Sequence, residues 1–164
     1  MKQPSKSFNE IIPPGEDEKF ASYANKLRAL QKVKSKKYGN GRLVPGVASP
    51  DFARYLQWLH YAEGMIMPPV NTIVVETILL PPDRRNQGNV DRAVKLLSRM
   101  LSAVDEGLKG RDYLAGDFSG ADIMTGHACT VAAKLGADVS DKPNVAAYIK
   151  RLNERPALQR AWAT

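Results

Sequence analysis

The sequence is poor in cysteine and histidine, the residues from which disulfides and many metal sites are built. Its 164 residues include one cysteine, Cys129, and two histidines, His60 and His127. A single cysteine excludes a disulfide within the chain, and no cysteine or histidine cluster has the spacing of a zinc site. A chain of this length buries roughly 70% of its unfolded surface without such support. We therefore expect a protein of a reducing compartment that holds no metal.

Long apolar runs are also absent. Residues 1–12 carry lysines but lack an apolar stretch of the length that a signal peptide needs. No segment approaches the roughly 20 apolar residues of a membrane-spanning helix. These two absences predict a soluble, cytoplasmic protein without a membrane partner.

Clustered positive charge is scarce, although the chain is basic. The formal net charge is +7, but lysine and arginine are spread along the sequence. The exception is the group Lys32, Lys34, Lys36 and Lys37, which has no interleaved aromatic side chain to stack on a base. We interpret this group as the solvated end of a helix, and we expect no nucleic-acid partner.

The apolar residues that are present repeat at steps of three and four, which is the period of an amphipathic helix. The alternation typical of strands does not occur, so the predicted fold class is all-α. The predicted helices cover residues 16–37, 51–66, 70–80, 90–108, 119–135 and 143–153, with a short helix after Pro156. Pro68 and Pro69 are expected to break or kink the chain between the second and third helices, because proline lacks an N–H donor. On the long helix, the predicted buried face consists of Val90, Val94, Leu97, Leu101, Val104 and Leu108.

The segment FSGADI carries the sharpest helix-start signal in the chain. The Ser119 side chain can cap the first turn, and Asp122, three residues later, can reach back to the Ser119 amide. This reciprocal pair predicts that a helix begins at residue 119, and Gly136 is a natural stop for it.

Four segments resemble, in order, the C-terminal helical domain of cytosolic glutathione S-transferases: KYGNGRLVP, RYLQWLHYAEGMIMP, YLAGDFSGADIM and PNVAAYIKRLNERPALQRA. The likeness covers roughly residues 38–163. It implies a glutathione S-transferase C-terminal-like helical bundle over residues 38–164. Residues 1–37 would then form an N-terminal arm and an extra amphipathic helix in place of the family's thioredoxin-like domain.

The resemblance also bears on glutathione. In the family, a Glu-Ser pair on the last thioredoxin helix binds the γ-glutamyl end, and alignment on Tyr38 puts Lys26 and Leu27 at those positions. The usual contacts to glutathione are then lost from this segment, so we expect a reaction without a cofactor and keep glutathione as an alternative. We further expect residues 16–37 to pack back over the helical bundle and roof a ligand cleft.

The candidate site lies in the segment YLQWLHYAEGMIMPP, residues 55–69. At about 100° per residue, one helix face collects the predicted core residues Tyr55, Trp58, Leu59, Ala62 and Ile66. A second face collects Leu56, His60, Glu63 and Met67. The resemblance implies that this helix borders both a hydrophobic-substrate cleft and a dimer contact.

On that second face, His60 and Glu63 are three residues apart and can form an acid/base pair. We predict that this pair is catalytic, that Leu56 and Met67 bind substrate, and that Tyr61 serves as a donor on a flanking wall. A hydrogen-bonded pair at a subunit interface is the alternative reading of His60 and Glu63.

Three further residues are candidate substrate contacts. Arg84 and Arg85, in the loop after two prolines, can bind a carboxylate or phosphate through forked hydrogen bonds, or they are solvated surface residues. His127 lies within the best-defined helix, where it either binds substrate or is a satisfied core histidine. Cys129 is expected to be a small buried side chain.

Three functions remain open at the level of the sequence. The first is an enzyme that binds a hydrophobic small molecule and promotes its isomerisation, dehydration or cyclisation in a biosynthetic pathway, as a homodimer and without glutathione. The second is a non-catalytic protein-interaction module of the same fold. The third is a residual glutathione transferase.

Overall fold

The computed structural model describes residues 41–163, apart from the side chain of Trp162. The chain divides into two compact units, Met1–Arg42 and Leu43–Thr164, and the helices described below belong to the second. The predicted arm and helix over residues 1–37, together with their packing over a ligand cleft, lie outside the described residues. The domain boundary after residue 37 therefore stays a prediction.

The regular secondary structure between residues 41 and 163 is entirely helical, and no strand occurs in this range. In chain order they are α1 (Phe52–Tyr61), a first π turn (Ala62–Ile66), α2 (Met67–Val74), a second π turn (Val75–Leu79), a short 3₁₀ turn (Pro82–Arg84), α3 (Gln87–Gly107), α4 (Gly120–Lys134), α5 (Pro143–Asn153) and α6 (Pro156–Trp162). The all-α prediction is confirmed. Within this part of the chain, no helix is long and apolar enough to span a membrane.

Of the two outcomes expected at Pro68 and Pro69, the break does not occur, because helical backbone continues from Phe52 to Leu79; the kink stays a prediction. A π turn precedes the two prolines, and in it the Met67 N–H donates to the Ala62 carbonyl, five residues back. Both prolines then lie in the first turn of α2, where the missing N–H disturbs the helix least. The predicted third helix is thus a continuation of the second.

Helix α4 is the centre of the bundle. It packs against α1, α2, α5 and the first π turn. Its buried residues are small, among them Ala121, Gly126, Ala128 and Ala132, which lets the neighbouring helices approach closely. A Cβ atom at Gly126 would overlap the side chain of Leu152 on α5. The larger buried side chains come from the surrounding helices and include Trp58, Ile66, Leu97, Leu101 and Tyr148.

The predicted capping box opens α4. The Ser119 N–H donates to Asp122 Oδ2 at 2.9 Å, and the Ser119 side chain accepts from the Asp122 backbone N–H. Two N–H groups of the first turn are thereby satisfied. This local network fixes where α4 begins, and it fixes the face that α4 presents to its neighbours.

On α3, the predicted buried face is correct from Leu97 onward. Leu101 and Val104 are buried with it. Nearer the start of the helix the prediction for Val94 is wrong, because Val94 is 41% exposed and Ala93 is buried instead. Ala93 lies four residues before Leu97, on the same stripe of the helix, whereas Val94 falls on the neighbouring stripe.

Candidate ligand cavity

A cavity of about 560 Å³ opens between the first π turn, α4 and α6. This volume falls within the range of about 300–1,000 Å³ that is usual for small-molecule sites. Most of its wall is apolar, with Met67 from α2, Ile123 and Met124 from α4, and Leu158 from α6. Ile123 is 48% exposed, so a large apolar side chain meets solvent at this place.

Four polar side chains interrupt the apolar wall. Glu63 lies on the first π turn, Asp122 and His127 lie on α4, and Arg155 lies just before α6. Glu63 and His127 are exposed, Arg155 is half-buried and Asp122 is buried. The cavity therefore combines an apolar interior with a carboxylate, an imidazole and a guanidinium that a bound molecule can reach.

The structure brings together three of the residues proposed from sequence. Glu63, Met67 and His127 all line the cavity, although His127 lies more than 50 residues after the other two in the sequence. The reading of His127 as a core histidine is wrong, because its side chain is exposed on the open face of α4.

Leu56 and His60 do not reach this wall. The two-face interpretation of residues 55–67 is correct for Tyr55, Trp58, Ala62 and Ile66, which are buried, and for His60, which is exposed. Leu59, predicted for the core face, is only half-buried, as is Leu56 on the second face. Among the described residues, no hydrogen bond or ion pair joins His60 to Glu63. The first π turn begins between them at Ala62, and its extra residue per turn changes the angular relation that an α-helix would give.

Tyr61 faces the core between α1 and α3. Its hydroxyl donates to the Met100 carbonyl at 3.2 Å, and its ring meets Trp58 edge to face at a centroid distance of 5.0 Å. Burial, with a smaller contribution from Cys129, raises the pKa of the Tyr61 hydroxyl above its usual value. Tyr61 does not line the cavity, so its predicted role as a donor on a flanking wall stays a prediction.

Arg84 and Arg85 are exposed and lie outside the cavity. Arg84 ends the short 3₁₀ turn, and the Arg85 Nε donates to the Leu80 carbonyl at 2.8 Å. Neither arginine lines the cavity. Their predicted role in binding a ligand therefore stays a prediction for some other place on the surface.

Phe118 and Arg155 are among the wall residues that were not proposed from the sequence. The Arg155 guanidinium lies over the Phe118 ring with its carbon 3.5 Å from the ring centroid. Phe118 directly precedes the predicted helix start at Ser119, and Arg155 directly precedes the one at Pro156. Neither position indicates from the sequence that the residue lines a cavity. Their meeting depends on how α4 and α6 pack, and a helix period cannot show it.

Asp122 lines the cavity, but its carboxylate oxygens already accept hydrogen bonds from other parts of the protein. Its Oδ1 accepts from the Leu114 N–H at 2.9 Å and from the Tyr148 hydroxyl at 2.8 Å. Its Oδ2 accepts from the N–H and the hydroxyl of Ser119. A carboxylate that accepts from four donors has a structural role, so Asp122 is not a candidate acid or base.

Neither a metal site nor a reactive thiol is found between residues 41 and 163. No group of three histidine, cysteine, aspartate or glutamate residues in this range could hold a metal ion. Cys129 is fully buried, and its burial raises the pKa of the thiol to about 12. Since the thiolate is the nucleophilic form, Cys129 is an inert core residue, as expected from the sequence.

The family model that matches this chain is the C-terminal domain of glutathione S-transferases, over residues 66–156. Glutathione S-transferase 4 of Zea mays is 34% identical over 155 residues, which are 92% of this chain and 67% of the maize protein. Glutathione S-transferase GstB of Escherichia coli K12 is 23% identical over 154 residues, 93% of this chain and 73% of that protein.

Solved structures of glutathione transferases share the fold. One from Burkholderia graminis, with two glutathione molecules bound per subunit, is 27% identical with a TM-score of 0.66, covering 77% of this chain and 54% of that one. One from Phanerochaete chrysosporium, with oxidised glutathione, is 21% identical with a TM-score of 0.69, covering 81% and 61%. This chain thus spans between about half and two thirds of these solved chains.

The helices, the capping box and the sequence similarity agree with one another. The match to the maize protein covers 92% of the chain, so it also includes part of residues 1–40. The resemblance read from the four sequence segments is confirmed, and the chain belongs to the glutathione S-transferase family, whose C-terminal helical domain it contains.

Proposed function

We propose that this protein binds a hydrophobic small molecule in the cavity and promotes an acid/base reaction on it without glutathione. The observation that carries the proposal is the cavity itself, about 560 Å³ of mostly apolar space with Glu63 and His127 on its wall. Apolar walls with a few placed polar groups are the usual form of a small-molecule site.

The two groups suit proton transfer. Carboxylates and imidazoles are common general acids and bases, and here they come from different elements, the first π turn and α4. The Glu63 carboxylate would remove a proton from the bound molecule, and a protonated His127 would return one to a second atom. If that atom is carbon, the result is an isomerisation. If it is the oxygen of a leaving hydroxyl, the result is a dehydration.

We assign the imidazole role to His127 and not to His60, because His127 shares the cavity with Glu63. His60 then becomes a useful control, since it is the other histidine of the chain and is exposed outside the cavity.

Binding is tested with a substitution that fills the cavity. Ala157 lies on the wall, so Ala157→Trp should occlude it, whereas Ala147→Trp places the same ring on an exposed position of α5. In a fluorescence titration with N-phenylnaphthylamine, a neutral apolar probe, we expect wild type and Ala147→Trp to bind alike. Ala157→Trp should bind at least about tenfold more weakly. Equal affinity for the two variants would contradict the assignment of the cavity.

Catalysis is tested by screening candidate metabolites for turnover and then replacing the two groups. We expect Glu63→Gln and His127→Gln each to lower kcat by about a hundredfold or more, with probe binding retained. His60→Gln is the matched control and should leave kcat unchanged. A variant pair without effect on a confirmed turnover would remove both residues from the reaction.

Glutathione transfer is the second candidate, because the relatives from maize and Escherichia coli are named glutathione S-transferases. Retention on immobilised glutathione, combined with a thiol-conjugation assay, separates this reaction from the first. Conjugation that requires glutathione would replace the cofactor-free proposal.

Self-association is also proposed, as a homodimer. Exposed apolar residues on the second π turn, Ile78 at 59% and Leu79 at 68%, offer a surface that a second copy would cover. Sedimentation of the chain is expected to show a dimer, and the double substitution Ile78→Ser and Leu79→Ser should shift it to the monomer. A monomeric wild type would favour a heterologous protein contact and the interaction-module alternative.

A further inference from the structure

Arg155 is a cation of the cavity wall whose position is fixed by its neighbours. It precedes Pro156, which favours extended backbone at this residue, and its φ of −76° and ψ of 123° agree. Its guanidinium lies over the Phe118 ring at 3.5 Å. Its Nη1 donates to the Tyr113 hydroxyl at 3.5 Å. The Tyr113 and Phe118 rings meet edge to face, 5.4 Å apart, so the guanidinium rests on an aromatic pair.

Between residues 41 and 163, no acidic side chain forms an ion pair with Arg155. The ion pairs within residues 41–163 are Lys109 with Glu106, Lys142 with Asp141, and Arg151 with Asp112. Asp122 shares the wall, but its four hydrogen bonds come from Leu114, Ser119 and Tyr148. Glu63 is on the same wall without forming an ion pair to Arg155. The aromatic pair therefore holds a guanidinium that has no carboxylate partner in the described part of the chain.

We propose that the ligand of the cavity is a hydrophobic organic acid, and that its carboxylate or sulfonate binds Arg155. This inference rests on the proposed function, that the cavity holds an apolar molecule. It adds that the molecule carries a negative charge and that its acidic end is the part bound by the protein. A guanidinium presents a planar fork of N–H donors that matches an oxyanion. With one ring under its face, its edge remains available to the cavity, while the apolar body contacts Met67, Ile123 and Leu158.

Arg151 provides the contrast within the same chain. It lies on α5, one turn before Arg155, and its Nη2 is 2.9 Å from Asp112 Oδ1. Its Nη1 also donates to the Asp112 carbonyl. Arg151 is thus paired with an acidic residue of the protein and lies outside the cavity. Substituting it tests whether the loss of one positive charge has a general effect on binding.

The test compares two probes that differ by one acidic group. Anilinonaphthalene sulfonate and N-phenylnaphthylamine share their ring system, but only the first carries a sulfonate. Each is titrated into the full chain as wild type, Arg155→Met, Arg155→Lys and Arg151→Met. We expect Arg155→Met to weaken sulfonate binding roughly tenfold, in keeping with a partly exposed charged hydrogen bond. Arg155→Lys should have an intermediate effect, and Arg151→Met should have none.

Two further readouts separate recognition of charge from mere packing. The neutral probe should bind all four proteins within about twofold, which also shows that the variants are folded. Added salt should weaken sulfonate binding to wild type, and it should do so much less for Arg155→Met.

The contradicting outcomes are distinct. If the neutral probe binds and Arg155→Met weakens both probes equally, or neither, Arg155 is not an anion site and the binding function stands. If neither probe binds wild type, the cavity is not a ligand site, and both proposals fall together.

Discussion

At the scale of single residues, Asp122 joins three parts of the fold. The residue is 1% exposed, and its carboxylate accepts from the Leu114 loop, the start of α4 and Tyr148 on α5. Burial, and then the charge of Asp122, raise the pKa of the Tyr148 hydroxyl above its usual value, so Tyr148 remains a donor at neutral pH. Removal of the carboxylate leaves several buried donors without a partner.

We expect Asp122→Ala to lower the free energy of unfolding by about 3 kcal/mol or more, because each buried donor left unpaired costs about 1–3 kcal/mol. Urea unfolding followed by circular dichroism measures the change. Asp117→Ala, at an exposed neighbouring position, is the control and should change it by no more than about 0.5 kcal/mol. Equal stability of the two variants would show that the network is not formed.

Glu76 is a second carboxylate with a structural role. It is 8% exposed, and it accepts from the Asn86 N–H at 2.8 Å and from the Asn89 side chain. These two hydrogen bonds, that from Asn89 first, lower the pKa of Glu76 below its usual value of 4.5. They tie the second π turn to the start of α3.

The lowered pKa of Glu76 predicts a stability that depends on pH. A carboxyl group with a lower pKa in the folded state stabilises the protein above its unfolded pKa, and this contribution is lost as the pH falls through the folded pKa. The stability difference between wild type and Glu76→Gln should therefore be fully present at neutral pH and should shrink below about pH 4.5. A difference that is constant from neutral to acidic pH would contradict this role. Glu106→Gln, at a 77% exposed side chain, is the control.

At the scale of elements, the continuous helical segment from Phe52 to Leu79 shows which features local sequence rules can predict and which they cannot. Its period and its buried face were readable, because Trp58, Ala62 and Ile66 recur on one side. The π turns were not readable, since an extra residue per turn is tolerated only where neighbouring helices hold it in place. The break that was one of the two outcomes expected at Pro68 is absent, and helical backbone runs through it.

Two glycines test the close packing of these elements in opposite directions. Gly64, in the first π turn, has open space where a Cβ would stand, so Gly64→Ala should raise the free energy of unfolding by about 0.5–1 kcal/mol by reducing the freedom of the unfolded chain. At Gly126, a Cβ would overlap Leu152 in the core, so Gly126→Ala should lower it by about 1–3 kcal/mol. The free energies of unfolding are measured in guanidinium. A change of the same sign for both variants would contradict the described packing.

At the scale of the whole molecule, the fold was more predictable than the site. The capping box at Ser119 and Asp122 and the apolar periods are local signals, and the family resemblance extended them to a topology. The cavity is not local, because Glu63, His127 and Arg155 come from three separate elements. Sequence spacing paired Glu63 with His60, its neighbour along the chain, whereas in the structure Glu63 and His127 line the same cavity.

The proposals of function and of ligand charge depend on one claim, that the cavity between the first π turn, α4 and α6 holds a small apolar molecule. The direct measurement is a titration of N-phenylnaphthylamine into the nitrogen-labelled protein, with amide chemical shifts followed by NMR. We expect saturable shifts at Met67, Ile123, His127 and Leu158, and little change on the exposed apolar surface at Ile78 and Leu79. Shifts confined to that surface, or no shifts at a probe concentration well above that of the protein, would contradict the claim.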